Sequence, residues 1–305
     1  MGIPRALTWK HLLLPGKLWK SLSRARTLIR QERPDAVLGF GGYASGPVLF
    51  AAQNKGIPTL VQEQNAYAGL TNKLLAKRAR RICVAYSGME RFFPQEKLLV
   101  TGNPVRREIV EGSYDQAAAR QLMGLSERPT LLVLGGSLGA KALNEAVLAH
   151  LPRLEAAGIQ VIWQCGALYE ERLRAALAQE AFAHVQLRPF IADMAQAYAA
   201  ADVIVSRAGA LSVSELCVVG KAVVFVPSPN VAEDHQTKNA AALLKAHAAR
   251  ALADAELMER FGDTVLDLFQ DEAARQQLGE AIRGLALPKA TETIVNEIEQ
   301  LIDAD

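Results

Sequence analysis

The sequence has no unbroken apolar run of the roughly eighteen residues that a membrane-crossing helix needs, although half of its 305 residues are hydrophobic. Near the start, Leu12-Leu13-Leu14 is cut short by Pro15. No apolar core with a small-residue cleavage site follows, so the opening segment does not read as a signal peptide. Cysteine is scarce. Cys83, Cys165 and Cys217 are odd in number, far apart and set in apolar runs, which argues against a disulfide framework or a thiolate metal site and fits reduced, buried thiols. An excess of one charge is missing as well: a net charge of +2 is too small to imply a nucleic-acid partner. Low-complexity tracts are absent. What remains is the composition of a soluble globular chain, long enough for one large domain or two of about 150 residues each.

What is present is alternation. Short apolar runs at 36–40, 59–62, 81–85, 98–101, 130–134, 160–164, 185–188, 202–206 and 222–226 read as strands. Helix-period stretches lie between them, as at 17–31, 69–78, 140–156, 169–178 and 237–246. This order predicts parallel sheets with helices on both faces, an α/β class. Several strands run into glycine or a small polar residue where a helix begins, which is where open α/β sheets place their ligands. The pattern breaks near Gly102-Asn103-Pro104, passes a polar stretch at 111–115, and restarts at Thr130. Two lobes are therefore expected, 1–104 and 105–288, with 289–305 an amphipathic helix able to pack on either. The first lobe has only about four strands, few for an independent doubly wound domain.

Four segments carry candidate chemistry. In the first, the strand at 131–134 enters Gly135-Gly136-Ser137-Leu138-Gly139. Glycines there permit close backbone approach, and a helix N-terminus with a serine hydroxyl suits an anion such as a diphosphate. A turn needed only for packing is the plainer alternative. The same residues also fit the glycine-x-serine-x-glycine elbow of hydrolases, with Asp202 and His235 following in triad order, though no His-Gly-Gly segment precedes them. In the second, Ala210, Leu211, Ser212, Val213 and Ser214 open a helix after a strand. Glu215 sits one turn in, where a carboxylate accepts from both hydroxyls of a ribose or merely favours the helix start. The third is the helix opening at His235, in which Gln236 and Asn239 offer the paired donors and acceptors that sugar hydroxyls need, or else cap the helix. The fourth, in the first lobe, joins Gly41-Gly42-Tyr43, the polar tetrad Gln62-Glu63-Gln64-Asn65, and Gly102-Asn103-Pro104 leading to Arg106. Polar residues ending a buried strand are hard to explain by packing, whereas a lone arginine is equally a surface charge.

Taken together, GFGGYASGP, QEQNAYAGLTNKLLAK, TGNPVR, LGGSLGA, SRAGALSVSE, HQTKNA and PKATETIVNEI, in this order along nearly the whole chain, resemble the MurG family. The resemblance implies a GT-B fold of two Rossmann-like lobes, with UDP-N-acetylglucosamine held mostly by the second. It implies an inverting transfer of N-acetylglucosamine to the muramoyl 4-hydroxyl of undecaprenyl-diphospho-muramoyl-pentapeptide, a step of bacterial peptidoglycan and cell-wall synthesis on which cell shape and division depend. By position, Asn65 and Gln236 would meet the donor sugar, Arg106 and Ser137 the region of the diphosphate, and Ile191 the uracil through its backbone. Ala210 to Glu215 would cradle diphosphate and ribose. Gly41, Gly42, Tyr43 and Glu63 would line the acceptor side.

The family opens with a strand and a GGTGGH-type loop whose histidine is the usual candidate base. Met1 already lies downstream of it, so the expectation is an incomplete first lobe, with no catalytic residue identified. A non-catalytic UDP-sugar-binding remnant, or another GT-B lipid glycosyltransferase, stays open on that account. Leu138 and His247 stand where the family commonly has glutamine and glycine. No cofactor and no metal are expected, because the one D-x-D is Asp303-Ala304-Asp305 at the C-terminus. A lipid acceptor implies a peripheral place at the cytoplasmic face of the membrane. The stretch from Trp9 to Lys20, with Arg24, Arg26 and Arg30, mixes apolar and basic residues without an acid before Glu32. That suits an anionic lipid surface, and equally a core-facing helix with a solvated basic side.

Overall fold

The computed structural model describes residues 14–112, 114–180 and 182–303. The chain divides into two compact units, Met1–Asn103 joined by Lys289–Asp305, and Pro104–Pro288. In the first unit, α1 (Leu14–Glu32), β1 (Val37–Gly39), α2 (Gly42–Asn54), β2 (Thr59–Glu63), α3 (Leu70–Ala76), β3 (Arg81–Val84) and β4 (Leu98–Val100) follow in turn. The four strands form an all-parallel sheet in sequence order. Period-2 alternation divides their side chains between two faces. Val61, Ile82 and Val84 pack with Leu49 and Leu75, while Leu60 and Cys83 turn to the other side.

The second unit contains α4 (Arg107–Val110), α5 (Gln116–Leu122), β5 (Thr130–Leu134), α6 (Lys141–Ala156), β6 (Gln160–Gln164), α7 (Glu170–Glu180), β7 (Val185–Arg188), α8 (Met194–Ala200) and β8 (Val203–Ser206). It continues with α9 (Ala210–Val219), β9 (Ala222–Phe225), α10 (His235–Lys245), β10 (Arg250–Ala251), α11 (Leu257–Gln270) and α12 (Glu272–Arg283). Its six parallel strands run β10-β9-β8-β5-β6-β7. Strands β5, β6, β8 and β9 are buried along their whole length, as continuous apolar runs covered by helices on both faces should be. The last helix, α13 (Ala290–Asp303), returns to the first unit. Its Ile294, Ile298 and Leu301 cover Leu38, Leu60 and Cys83, and its Glu297 pairs with Arg81.

Polar side chains tie the amino ends of the central strands. Asp202 accepts from Thr130 N at 2.6 Å, from Arg120 Nη2 at 2.5 Å and from Gln116 Nε2 at 3.0 Å. Gln160 donates to the carbonyls of Ser126 and Arg128 and to Thr130 Oγ1, and accepts from Ser126 N. All three cysteines are buried and free. Burial pushes the Cys83 and Cys217 thiols up to about 12, so they are unreactive.

Gly139 has φ +75°, and a Cβ there would lie 2.1 Å from Cys165 O, whereas Gly136, at φ +82°, has open space around it. Gly139→Ala should lower the unfolding free energy by more than about 2 kcal/mol and Gly136→Ala by only about 1 kcal/mol, measured by urea denaturation. Lys221 Nζ donates to Ala199 O at 2.6 Å and also to Ala201 O, and burial lowers its pKa to about 8. Between there and its ordinary value the unfolded chain binds more protons than the folded one, so stability rises with pH across that window. Lys221→Met should remove that rise, which is on the order of a few kcal/mol, in unfolding curves taken at pH values spanning about 7 to 11.

Candidate functional site

In Pro104–Pro288, β5 and β8 are neighbours, with Leu134 opposite Ser206. The chain leaves β5 toward β6 on one side and leaves β8 toward β9 on the other. Their exit loops therefore part at the carboxyl edge and leave the crevice in which such sheets bind ligands. One wall is the turn from Gly135 to Ala140. Its backbone threads past the next loop so closely that a Cβ on Gly166 would meet Gly139 N at 2.4 Å. Only two glycines allow this crossing. Asn144 fixes the arrangement from below, donating to Cys165 O at 2.9 Å and accepting from Trp163 Nε1 at 3.0 Å. Ser137 and Leu138 stand exposed at the tip.

The other wall is the turn into α9, which has Gly209 as N-cap and no side-chain cap. A helix start leaves its first amides without intrahelical carbonyls, favouring an anion in front of it. Arg207 anchors this turn. Its guanidinium grips Asp254 at 2.5 and 3.3 Å and also donates to Val226 O and Pro227 O. Asn239 donates to Ala208 O at 3.2 Å, and Gln236 Oε1 accepts from Ser228 N at 2.8 Å. Both α10 side chains thus brace the site's loops. Just before them, Glu233 and Asp234 hold left-handed backbone at φ +55° and +49°, a strained approach of the kind found where a chain is shaped around a ligand. Ile191 follows β7 on the same edge with its side chain buried.

Glu215, 9 % exposed, lies behind the α9 turn. Its Oε1 accepts from Arg106 Nε and Nη2, both at 3.1 Å, and its Oε2 from the Tyr198 hydroxyl at 2.8 Å. Tyr198 is 2 % exposed. Burial first, then the Glu215 charge, raises its phenol well above the ordinary value, so it is a fixed donor. The structure thus brings Ser137, Ile191, the residues from Ala210 to Glu215, Gln236 and, through Glu215, Arg106 to one edge of one sheet.

Asn65, Gly41, Gly42, Tyr43 and Glu63 belong to the other unit, at the carboxyl ends of β1 and β2. Gly41 and Gly42 have φ +83° and +75° at the start of α2, and Tyr43 is exposed. Glu63 faces inward. It accepts from Asn65 N at 3.1 Å, Gly69 N at 2.9 Å and Asn72 Nδ2 at 2.8 Å, and so shapes the loop that carries Asn65. Asn103 joins the two polar motifs, donating to Gln64 O and accepting from Gln62 Nε2, both at 3.0 Å.

The serine-hydrolase alternative fails on geometry. Ser137 follows the carboxyl end of β5, while Asp202 bonds Thr130 at its amino end, so a five-residue strand, about 17 Å of chain, separates them. His235 turns its Nδ1 to Ala232 O at 2.8 Å. Tyr198, Asn144 and the Arg207–Asp254 pair were not legible as site residues. The available signal was a phenol in the alanine-rich run Met194-Ala195-Gln196-Ala197-Tyr198-Ala199-Ala200, which must find a partner once buried.

Comparison with known proteins agrees with this architecture. Residues 2–84 match the glycosyltransferase family 28 N-terminal domain, and residues 130–294 match the family 28 C-terminal domain. Relatives from Christiangramia forsetii and Porphyromonas gingivalis are each 47% identical, aligned over 99% of this chain and 82% of their own length. Both are named UDP-N-acetylglucosamine–N-acetylmuramyl-(pentapeptide) pyrophosphoryl-undecaprenol N-acetylglucosamine transferase. The crystal structure of Acinetobacter baumannii MurG superposes with a TM-score of 0.76 at 36% identity, covering 94% of this chain and 79% of that one. A Staphylococcus aureus MnaA–UDP co-structure shares the fold alone, at TM-score 0.71 and 15% identity, over 99% of this chain and 84% of its own. With both family domains in order and such relatives aligned almost from end to end, this chain belongs to the MurG family of GT-B glycosyltransferases.

Proposed function

We propose that this protein transfers N-acetylglucosamine from UDP-N-acetylglucosamine to the muramoyl 4-hydroxyl of undecaprenyl-diphospho-muramoyl-pentapeptide. One observation carries the reading. In a chain of this family, Ser137, the opening of α9 and Glu215 converge where β5 and β8 part. The α9 amides and Ser137 suit the diphosphate, and Glu215 suits the ribose. The backbone at Ile191 suits the uracil edge, and Gln236 and Asn65 the sugar. Gly41, Gly42 and Tyr43 would face the acceptor, with Glu63 acting through the loop it holds.

In this reading the acceptor oxygen attacks C1 from the face opposite UDP. The C1–O bond to the diphosphate breaks, and the hydroxyl proton passes to a base. Negative charge grows on the leaving diphosphate, so amides and Arg106 placed there stabilise the transition state more than the ground state. Such donors supply the electrostatic help that a divalent cation gives in other transferases, and the proposal therefore includes no metal or cofactor.

The lipid acceptor calls for a place at the cytoplasmic face of the membrane. No described helix is long and apolar enough to cross one. Residues Trp9 to Leu13 of the apolar and basic stretch lie outside the described residues. In the described part of α1, Lys17, Leu18, Trp19, Lys20, Arg24, Arg26 and Arg30 are exposed, while Ala25 and Ile29 face the core. A surface that mixes tryptophan, leucine and cations suits the headgroup layer.

Titrating UDP into the protein should release heat and slow amide exchange around Ser137 and Ser212, and Ser137→Ala should weaken binding about tenfold. Neither heat nor protection would remove the donor reading. In flotation, the protein should rise with anionic vesicles and stay down with neutral ones, and Trp19→Glu should reduce the floated fraction. Equal failure with both vesicle types would remove the membrane surface from the proposal.

A further inference from the structure

Glu215 is offered to a ribose in the reading above, yet in this structure its carboxylate is already engaged. A carboxylate has about four acceptor sites. Arg106 directs both Nε and Nη2 at Oε1, and Tyr198 directs its hydroxyl at Oε2. Two ribose hydroxyls need sites that Arg106 now fills. The two partners differ in how readily they can leave. The Arg106 side chain is 48% exposed and stands at the start of the four-residue helix α4, so solvent and a phosphate can both receive it. Tyr198 is sealed within α8, 2 % exposed. Its hydroxyl makes a bond that, if broken, would leave a buried donor unpaired.

We infer that Tyr198 is a positioning residue for the nucleotide's ribose: it holds Glu215 through Oε2 while Arg106 exchanges off Oε1, giving that oxygen to the ribose hydroxyls and its own charge to the diphosphate. The inference rests on the ribose role proposed for Glu215. The exchange conserves charge pairing. The guanidinium moves from a carboxylate to a phosphate, and the carboxylate trades an ion pair for hydroxyl donors while keeping one fixed hydrogen bond. Without Tyr198, Glu215 would lose that fixed donor when Arg106 departs. It would then be a buried anion free to rotate, and the ribose hydroxyls would meet no oriented acceptor.

The test compares UDP with 2′-deoxy-UDP by calorimetry in the wild type and in Tyr198→Phe, which removes one hydroxyl and keeps the ring. The wild type should bind UDP about tenfold more tightly than 2′-deoxy-UDP, as expected for a hydrogen bond to a charged group. Tyr198→Phe should lose most of that preference while its affinity for 2′-deoxy-UDP changes less than about twofold. In a Glu215→Gln background the same substitution should have no effect on the preference, an outcome that a purely structural tyrosine would not give. Tyr198→Phe with its full preference for UDP would overturn the inference and leave the ribose role of Glu215 standing. A wild type indifferent to the 2′-hydroxyl would overturn both. If Tyr198→Phe fails to fold, 3-fluorotyrosine at position 198 keeps the shape and changes the acidity of the hydroxyl. An altered UDP preference then supports the inference, and an unchanged one overturns it.

Discussion

Every parallel strand must return through a crossover on one face of its sheet, and in Pro104–Pro288 the returns from β5 and β8 run in opposite directions. Two right-handed crossovers that diverge cannot both cover the edge between them. A crevice is therefore a by-product of the topology, present before any side chain is chosen. What the sequence adds is its lining: two glycines where loops must cross, a serine at the tip of one, and an uncapped helix start on the other.

Around that crevice most of the conspicuous polar residues act as braces. Arg207, Asn239, Gln236 and Asn144 each spend hydrogen bonds on the backbone of a loop, and within the first unit Glu63 does the same. The reason is physical. A loop that presents amides to a ligand cannot also pair them in a ladder, so its shape has to be held by side chains from neighbouring elements. Such side chains look like ligand contacts in sequence, because polarity next to a buried strand is the signature of both roles.

The fold was largely legible for this reason of pattern. Buried parallel strands are largely apolar runs, as at Thr130–Leu134 and around Val161-Ile162-Trp163, and these, with the half-buried Val185–Arg188, begin and end as the sequence suggests. Strand β10 was not legible: two residues at a sheet edge, Arg250–Ala251, carry no period. The site was legible where glycine and serine sit at strand ends, and illegible where it depends on pairs remote in sequence. Nothing near Arg106 announces Glu215, 109 positions away, and in the alanine run around Tyr198 the phenol signals a buried partner without saying which. The family resemblance, carried by motifs in order, is shared by relatives aligned over nearly the entire chain.

The last helix belongs to the unit made first. During synthesis, Leu38, Leu60 and Cys83 emerge from the ribosome early, but Ile294, Ile298 and Leu301, which pack on them, are translated only after the whole of Pro104–Pro288. Until then Leu38, Leu60 and Cys83 lack their α13 partners while all of Pro104–Pro288 is being added. A chaperone has that interval in which to shield them, and a premature stop codon just short of Lys289 would release a polypeptide with Pro104–Pro288 complete and Leu38, Leu60 and Cys83 permanently without their helical cover.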